Sequence, residues 1–265
     1  MTDAELLELA RDVALEAAAL VRGRREAGVS VTDTKSSPVD IVTEADRAAE
    51  ELIYTRLTQA RPGDGFLGEE GSSAASETGV TWVVDPIDGT VNFLYGIPQY
   101  AVSIAAARED GAVAGVVVNV ASGETFTATR GGGAWLDGRR LRVREVVALE
   151  QRLIGTGFNY VREVRTAQAA AVGRLLATVR DVRRLGSAAL DLCAVAAGRL
   201  DGYVEEGLNP WDMAAGGLVA TEAGATVATR PGVGGTTCVL AAPAGGFTEF
   251  ADLTESCGFF ADERE

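Results

Sequence analysis

Residues 81–93, TWVVDPIDGTVNF, constrain this chain more than any other stretch. The run begins as a short apolar segment, Trp82-Val83-Val84, the pattern of a buried strand. It ends in Asp85-Pro86-Ile87-Asp88-Gly89-Thr90. Carboxylates at the mouth of a buried strand are expensive unless they meet donors or cations. Pro86 biases Asp85 towards extended backbone, so the strand delivers the first carboxylate in a fixed direction. Ile87 offers a carbonyl oxygen, Gly89 permits a tight turn, and Thr90 sits where a helix can start. An all-oxygen donor set suits Mg²⁺, which keeps waters and shares phosphate oxygens. The stretch therefore points to a metal-assisted phosphatase site; an Asx-rich turn capping a strand is the plain alternative.

Composition narrows the rest. A chain of 265 residues builds one large domain or two tightly joined lobes. Its net charge of −14 argues against a nucleic-acid or anionic-membrane partner. The same charge would repel a phosphate ester, so the local field has to be reversed, and bound cations can do that. Histidine is absent, which excludes Ser-His-Asp and Cys-His catalysis and histidine-ligated zinc. Cys193, Cys238 and Cys257 are dispersed and odd in number, as expected of free thiols in a reducing compartment. The acidic N-terminus is neither a signal nor a transit peptide, and no apolar run approaches a membrane span, so a cytoplasmic location is expected. Lys35 is the sole lysine among many arginines, which singles it out as a compact point charge.

Along the chain, Thr2 and Glu5 form a capping box for a first helix with Leu6, Ala10, Val13, Ala14, Ala17 and Val21 on its apolar face. Residues 28–40 are expected to form a loop or edge hairpin carrying Lys35. Thr43 caps a second helix running to about Gln59, with Asp46 in its first turn, favourable for the helix dipole. Residues 66–67 read as a brief strand before Gly68-Glu69-Glu70-Gly71, and residues 72–78 as a polar loop. Turns at 110–111, 122–123, 131–133 and 137–138 then give the rhythm of an antiparallel meander. From about residue 150 strands and helices alternate. Strands are expected at 153–154, 182–185, 203–204 and 239–242, and helices at 166–180, 187–197, 213–223 and around 250–253. The expectation is an α/β (α+β) protein of two lobes: residues 1–150 with two helices and an antiparallel sheet, and residues 151–265 as a smaller α/β lobe.

Two more acidic stretches resemble the first. Glu69 lies in a glycine-flanked turn, and Trp211-Asp212 precedes a helix of small residues. Asp212 is open to a second reading as a helix cap. Glu69, Asp85, Asp88 and Asp212 together could form one pocket, which two divalent cations would neutralise while leaving sites for a phosphate and a water.

GEE, WVVDPIDGTVNF and WDMAAGGLVATEAGA resemble the inositol monophosphatase family of metal-dependent phosphatases. The likeness runs from KSSPVDIVTEAD to TEAGA, and LYGIPQYAVSIA is most similar to its SuhB-type bacterial branch. The resemblance implies a layered α-β-α-β-α sandwich, a homodimer, sensitivity to lithium and two or three Mg²⁺ per site. It implies that Glu69, Asp85, the Ile87 carbonyl, Asp88 and Asp212 bind the ions, with Asp85 bridging two of them. Glu69 and Thr90 would orient and deprotonate a metal-bound water, with Lys35 and Asp46 close by. The Gly89 and Thr90 amides would hold the phosphate. Gly186, Ser187 and Ala188 would line the substrate ring, and Glu205 would bond its hydroxyls. Histidines that members often carry after Asn-Phe and before Trp-Asp are replaced here by Leu94-Tyr95-Gly96 and Asn209-Pro210.

The implied activity is hydrolysis of inositol 1-phosphate, a small phosphorylated polyol, by direct in-line attack of water without a phosphoenzyme. Histidinol phosphate, fructose-1,6-bisphosphate and 3′-phosphoadenosine phosphate are alternative substrates within the family, and a regulatory binding protein is an alternative outside catalysis. A haloacid-dehalogenase-like mechanism needs D-x-D-G-T, whereas the spacing here is D-x-x-D-G-T.

Overall fold

The computed structural model describes residues 1–28, 31–34 and 41–261. Helix α1 (Asp3–Ala27) is followed by a hairpin of β1 (Val31–Thr34) and β2 (Ile41–Thr43), then α2 (Glu44–Ala60), β3 (Gly65–Gly68), β4 (Ser73–Ala74), β5 (Thr81–Asp88) and the short α3 (Thr90–Tyr95). Strands β6 (Ala101–Arg108), β7 (Gly111–Asn119), β8 (Thr125–Thr129), β9 (Gly133–Leu136) and β10 (Arg139–Arg140) follow. The second half contains β11 (Leu153–Thr156), α4 (Arg162–Leu176), β12 (Asp181–Arg183), α5 (Ala188–Ala196), β13 (Gly202–Glu206), α6 (Pro210–Glu222), β14 (Ala225–Pro231), β15 (Thr237–Pro243) and α7 (Phe247–Ser256).

Two sheets dominate. The larger has the order β10-β9-β8-β7-β6-β5-β3-β4 and the smaller β12-β11-β13-β15-β14. Helices α1 and α2 cover one face of the larger sheet, burying Leu6, Val13, Ile53 and Leu57 against Trp82, Val84 and Ile104. Helices α5 and α6 fill the space between the sheets, where Leu192, Val195 and Val219 meet Val83, Val117 and Tyr203. On the far face of the smaller sheet, Ala171 and Leu175 of α4 and Phe250 of α7 pack on Ile154, Val204 and Leu240. The layering is α-β-α-β-α. It follows from strands that are apolar on both faces, since each such strand needs a cover on both sides.

The sequence reading differs from the structure in several places. The larger sheet is not wholly antiparallel: β3 pairs with β5 in parallel, because β4 runs back along β3 and residues 75–80 then carry the chain to the start of β5. The smaller sheet is mixed, parallel across β12-β11-β13 and antiparallel across β13-β15-β14. Strand β14 is not foreseen, since its edge position leaves only weak alternation of burial. The helix expected at 166–180 spans 162–176. Its last turn is lost because Val179 turns into the core and the Arg180 amide donates to the Arg152 carbonyl. The next strand correspondingly ends at Arg183, short of Leu185. Helix α6 starts at Pro210, not Met213, so Asp212 lies inside its first turn. Residues 131–133 form a turn into β9, as expected of the triple glycine. Lys35 lies outside the described residues.

Candidate active site

Strand β5 is clamped by packing on both faces, with Val83 in one core and Trp82 and Val84 in the other. In a regular strand, residues three apart point to opposite faces. The pairing of β5 with β6 breaks this rule at the site: Asp85 faces Ser103 and Asp88 faces Ala101, so β5 carries one extra residue. That bulge re-aims the side chains and turns both carboxylates to one side. Gly89 then reverses the chain at φ +92°. A Cβ there would lie 2.9 Å from the Gln99 carbonyl oxygen and 3.0 Å from that of Gly186. Asn92 fixes the turn by donating to the Gln99 and Leu185 carbonyls at 2.7 and 2.8 Å.

Asp212 arrives from α6. Asn209 caps that helix and Pro210 opens it, so Asp212 is the acid of a capping box that accepts from the Asn209 amide at 2.6 Å. Asp212 thus caps the helix and lines the cleft as well. One ligand oxygen from each of Asp85, Asp88 and Asp212 lies within 4.8 Å of the others. Glu69 enters on the turn after β3, where its amide donates to the Val84 carbonyl at 3.2 Å, and its carboxyl lies against that of Asp85. Glu50, one helical turn beyond Asp46 on the same face of α2, holds this turn in place. Its carboxylate accepts from the Glu70 and Ser72 amides at 2.8 and 2.9 Å.

The electrostatics follow from this crowding. Burial pushes Asp85 well above the usual carboxylate range, and the charges of Glu69, Asp88 and Asp212 push it further. Burial likewise raises Asp88, to about 7, against donors from Ser187 Oγ at 2.6 Å and the Ala189 amide at 2.7 Å. Asp212 is raised by burial and by Asp88 and Glu69. Asp46 is raised by burial in spite of donation from the Thr43 amide and hydroxyl at 2.8 and 2.5 Å. The Thr90 hydroxyl sits between the Asp46 carboxylate, at 3.1 Å, and the Ile87 carbonyl, at 3.0 Å.

A cleft of about 320 Å³ opens above the cluster. Glu69, Asp85, Ile87, Asp88, Gly89, Thr90 and Asp212 line its floor, with Gly186 and Ala188 beside them. Ser187 is buried behind, capping α5 and donating to Asp88. The opposite wall is Phe158, Asn159, Tyr160, Arg184 and Glu205. Glu205 is oriented by the Tyr203 hydroxyl, which donates to it at 2.7 Å. It also rests on Gly157, where a Cβ would fall 1.9 Å from its carboxyl carbon.

The structure thus brings together every expected site residue within the described part of the chain. Glu50, Tyr203 and Arg184 are additions. Glu50 carries a legible signal, a carboxylate in register with the apolar face of α2; Tyr203 and Arg184 carry none. Asp191 is a further buried carboxyl on α5, raised by burial and the nearby Glu205 and Asp88 charges, with no hydrogen-bond partner among the described residues. Among those residues no helix is long and apolar enough to cross a membrane.

Comparison with known proteins agrees with the geometry. A SuhB inositol-1-monophosphatase of Mycobacterium tuberculosis is 49% identical over 265 residues, covering 93% of this chain and 91% of the relative. The solved structure of Mycobacterium tuberculosis SuhB superposes with a TM-score of 0.84 at 46% identity, over 97% of this chain and 98% of that one. A relative in Escherichia coli named Nus factor SuhB is 40% identical over 229 residues, 86% of each chain. The pattern of the inositol monophosphatase family matches residues 2–249. The chain belongs to that family of metal-dependent phosphoric monoester hydrolases.

Proposed function

We propose that this protein is a Mg²⁺-dependent phosphomonoesterase that hydrolyses inositol 1-phosphate to inositol and phosphate. The observation that carries the reading is the meeting of Asp85, Asp88 and Asp212 within 4.8 Å at the floor of a cleft. Like charges so buried and so close do not coexist without a countercharge. Their donors are all hard oxygens, which fits Mg²⁺ and fits no softer metal as well. Glu69, Asp85, the Ile87 carbonyl, Asp88 and Asp212 would hold two or three such ions. When bound, they would invert the sign of the pocket, acidify a ligated water and steady the leaving alkoxide.

The chain's own groups would do the remaining work. The Gly89 and Thr90 amides at the start of α3 would receive phosphate oxygens. Thr90 is held by Asp46 and the Ile87 carbonyl, so its oxygen is fixed to accept a hydrogen bond from the attacking water. Glu69 would take the proton, with Asp46 receptive behind Thr90 because burial has already raised it. On the far wall Glu205, preset by Tyr203, would accept from vicinal hydroxyls of the polyol, and Ser187 and Ala188 would set the back of the ring site through Asp88.

The test is phosphate release from inositol 1-phosphate by protein stripped of metal and reloaded with Mg²⁺. Activity should require the metal, and Asp88→Asn should abolish it while the fold persists. Turnover by Asp88→Asn at the wild-type rate would overturn the assignment. Lithium inhibition, a homodimer and a cytoplasmic location belong to the same proposal. A second reading, partner binding in regulation, draws support from the relative named Nus factor SuhB. Release of no phosphate from any small ester would favour it.

A further inference from the structure

One buried polar network lies outside the groups given a chemical role above, yet Glu206 lines the cleft and the network ends at Asn159 on its wall. Gln168 on α4 and Glu206 on β13 are 2% and 3% exposed. The Asn159 amide donates to Gln168 Oε1 at 2.9 Å, and Gln168 Nε2 donates to Glu206 Oε2 at 3.1 Å. The other oxygen of Glu206 accepts from the Gly234 amide at 2.7 Å, the Thr236 amide at 3.3 Å and the Thr236 hydroxyl at 3.1 Å. The network therefore links the β14–β15 turn, β13, α4 and the segment 158–160 that walls the cleft.

Its polarity admits one arrangement. A backbone amide can only donate, so Gln168 must offer Asn159 its carbonyl oxygen. Its amide group is then left facing Glu206, which must accept. Four donors converge on Glu206, and it returns none. Asn159 is in turn the hub of its own segment: its side chain accepts from the Val161 amide at 2.8 Å, and its carbonyl from Arg165 Nε at 2.9 Å.

We infer that Gln168 and Glu206 are positioning residues: a buried strut that sets the 158–160 wall at the distance from Glu205 which a polyol ring requires. This rests on the phosphatase reading. None of its hydrogen bonds reaches the carboxylate cluster, so it should govern binding of the polyol and leave the chemical step alone. An ester with a short acyclic alcohol, which does not span the cleft, should be indifferent to it.

The test uses Mg²⁺-loaded full-length protein as wild type, Q168E, E206Q and the exchange Q168E/E206Q, with inositol 1-phosphate and glycerol 2-phosphate as substrates. Q168E sets two carboxylates against each other, and E206Q sets two amides against each other with one amide left unpaired. The exchange restores every bond, since Glu at 168 accepts from both Asn159 and the new amide at 206. Each single variant should raise KM for inositol 1-phosphate about tenfold, the scale of one lost buried hydrogen bond. Its kcat and its KM for glycerol 2-phosphate should stay within about twofold of wild type. The exchange should return KM to the wild-type range. Should a single variant fail to fold, Q168A, which leaves Glu206 three donors, carries the same comparison. Equal losses on both substrates, or no recovery in the exchange, would overturn the inference while wild type stays active. A wild type that hydrolyses neither ester would instead bring down the phosphatase reading, and the strut with it.

Discussion

Asp64, just before β3, and Asp85, on the adjacent β5, stand 21 residues apart, 5% and 1% exposed, and they resolve burial in opposite ways. Asp64 is saturated. Arg61 grips it through Nε and Nη2, both at 2.9 Å, and the Thr78 hydroxyl and Trp82 indole donate at 2.5 and 3.0 Å. Asp85 accepts from the Ile87 amide at 3.0 Å and otherwise faces acids. A structural carboxylate meets its own donors and cation within the fold. A working one is held where the fold cannot satisfy it, and the deficit is what a ligand supplies.

The sharpest test of this contrast is a pair of isosteric changes with opposite signs. Asp85→Asn should lower phosphate release at least about 10³-fold, on the order of 4 kcal/mol of transition-state stabilisation. It should also raise the urea midpoint of the metal-free protein, because the fold no longer has to bury an ionisable carboxyl beside other acids and the new amide can donate to Glu69. Asp64→Asn should leave kcat of the folded fraction unchanged. It should destabilise the protein by about 3 kcal/mol, the scale of a buried ion pair broken on one side. If both changes move stability in the same direction, the contrast between the two carboxylates is wrong.

Metal removal should expose the deficit as a pH dependence. Asp88 is raised from 3.8 to about 7 in the folded state. Between those values the folded chain holds a proton that the unfolded chain has released, so the contribution of Asp88 to stability falls as pH rises through the window and levels off above about 7. Metal-free protein should therefore lose on the order of 1–2 kcal/mol between pH 5.5 and 7.0, since the slope of 1.36 kcal/mol per unit halves as the pH reaches the raised value. Saturating Mg²⁺ should abolish the slope, since cations stabilise the charged forms. Chemical denaturation at the two pH values, with and without the ion, reads it directly. A metal-free stability that is flat or rising over this interval would mean that the cluster relaxes apart when empty.

Much of this site is legible in the residues, and what is not has a physical reason. The apolar run ending in DPIDGT announces β5 and its acids, yet spacing alone puts Asp85 and Asp88 on opposite faces. The bulge that unites them is created by pairing with β6, which no local signal encodes. Asp212 reads as a cap or a ligand, and the Asn209-Pro210 pair that starts α6 early lets it be both. The meander is visible because turns punctuate it, while the parallel pairing of β3 with β5 depends on β4 folding back on β3, and at two residues β4 is too short to leave a signal. The far wall of the cleft is silent in sequence. Asn159 is held by Gln168 and, through it, by Glu206, residues that resemble ordinary surface polar groups until burial is known.

The smallest effects separate two copies of one motif. Thr2 with Glu5 and Thr43 with Asp46 are both capping boxes at the start of long helices. The first is exposed and its side-chain bonds among the described residues stay within the box; the second is buried, and its acid also holds Thr90. Thr2→Ala should cost about 1 kcal/mol of stability, the usual loss for an N-cap, with kcat unchanged. Thr43→Ala should cost a similar amount and in addition lower kcat several-fold. The Thr43 hydroxyl is one of the donors that hold Asp46 down against burial. Without it Asp46 titrates higher, so the acid limb of the pH–rate profile should move to higher pH in this variant alone. Matching kinetics in the two variants would mean that the second box caps a helix and does nothing more.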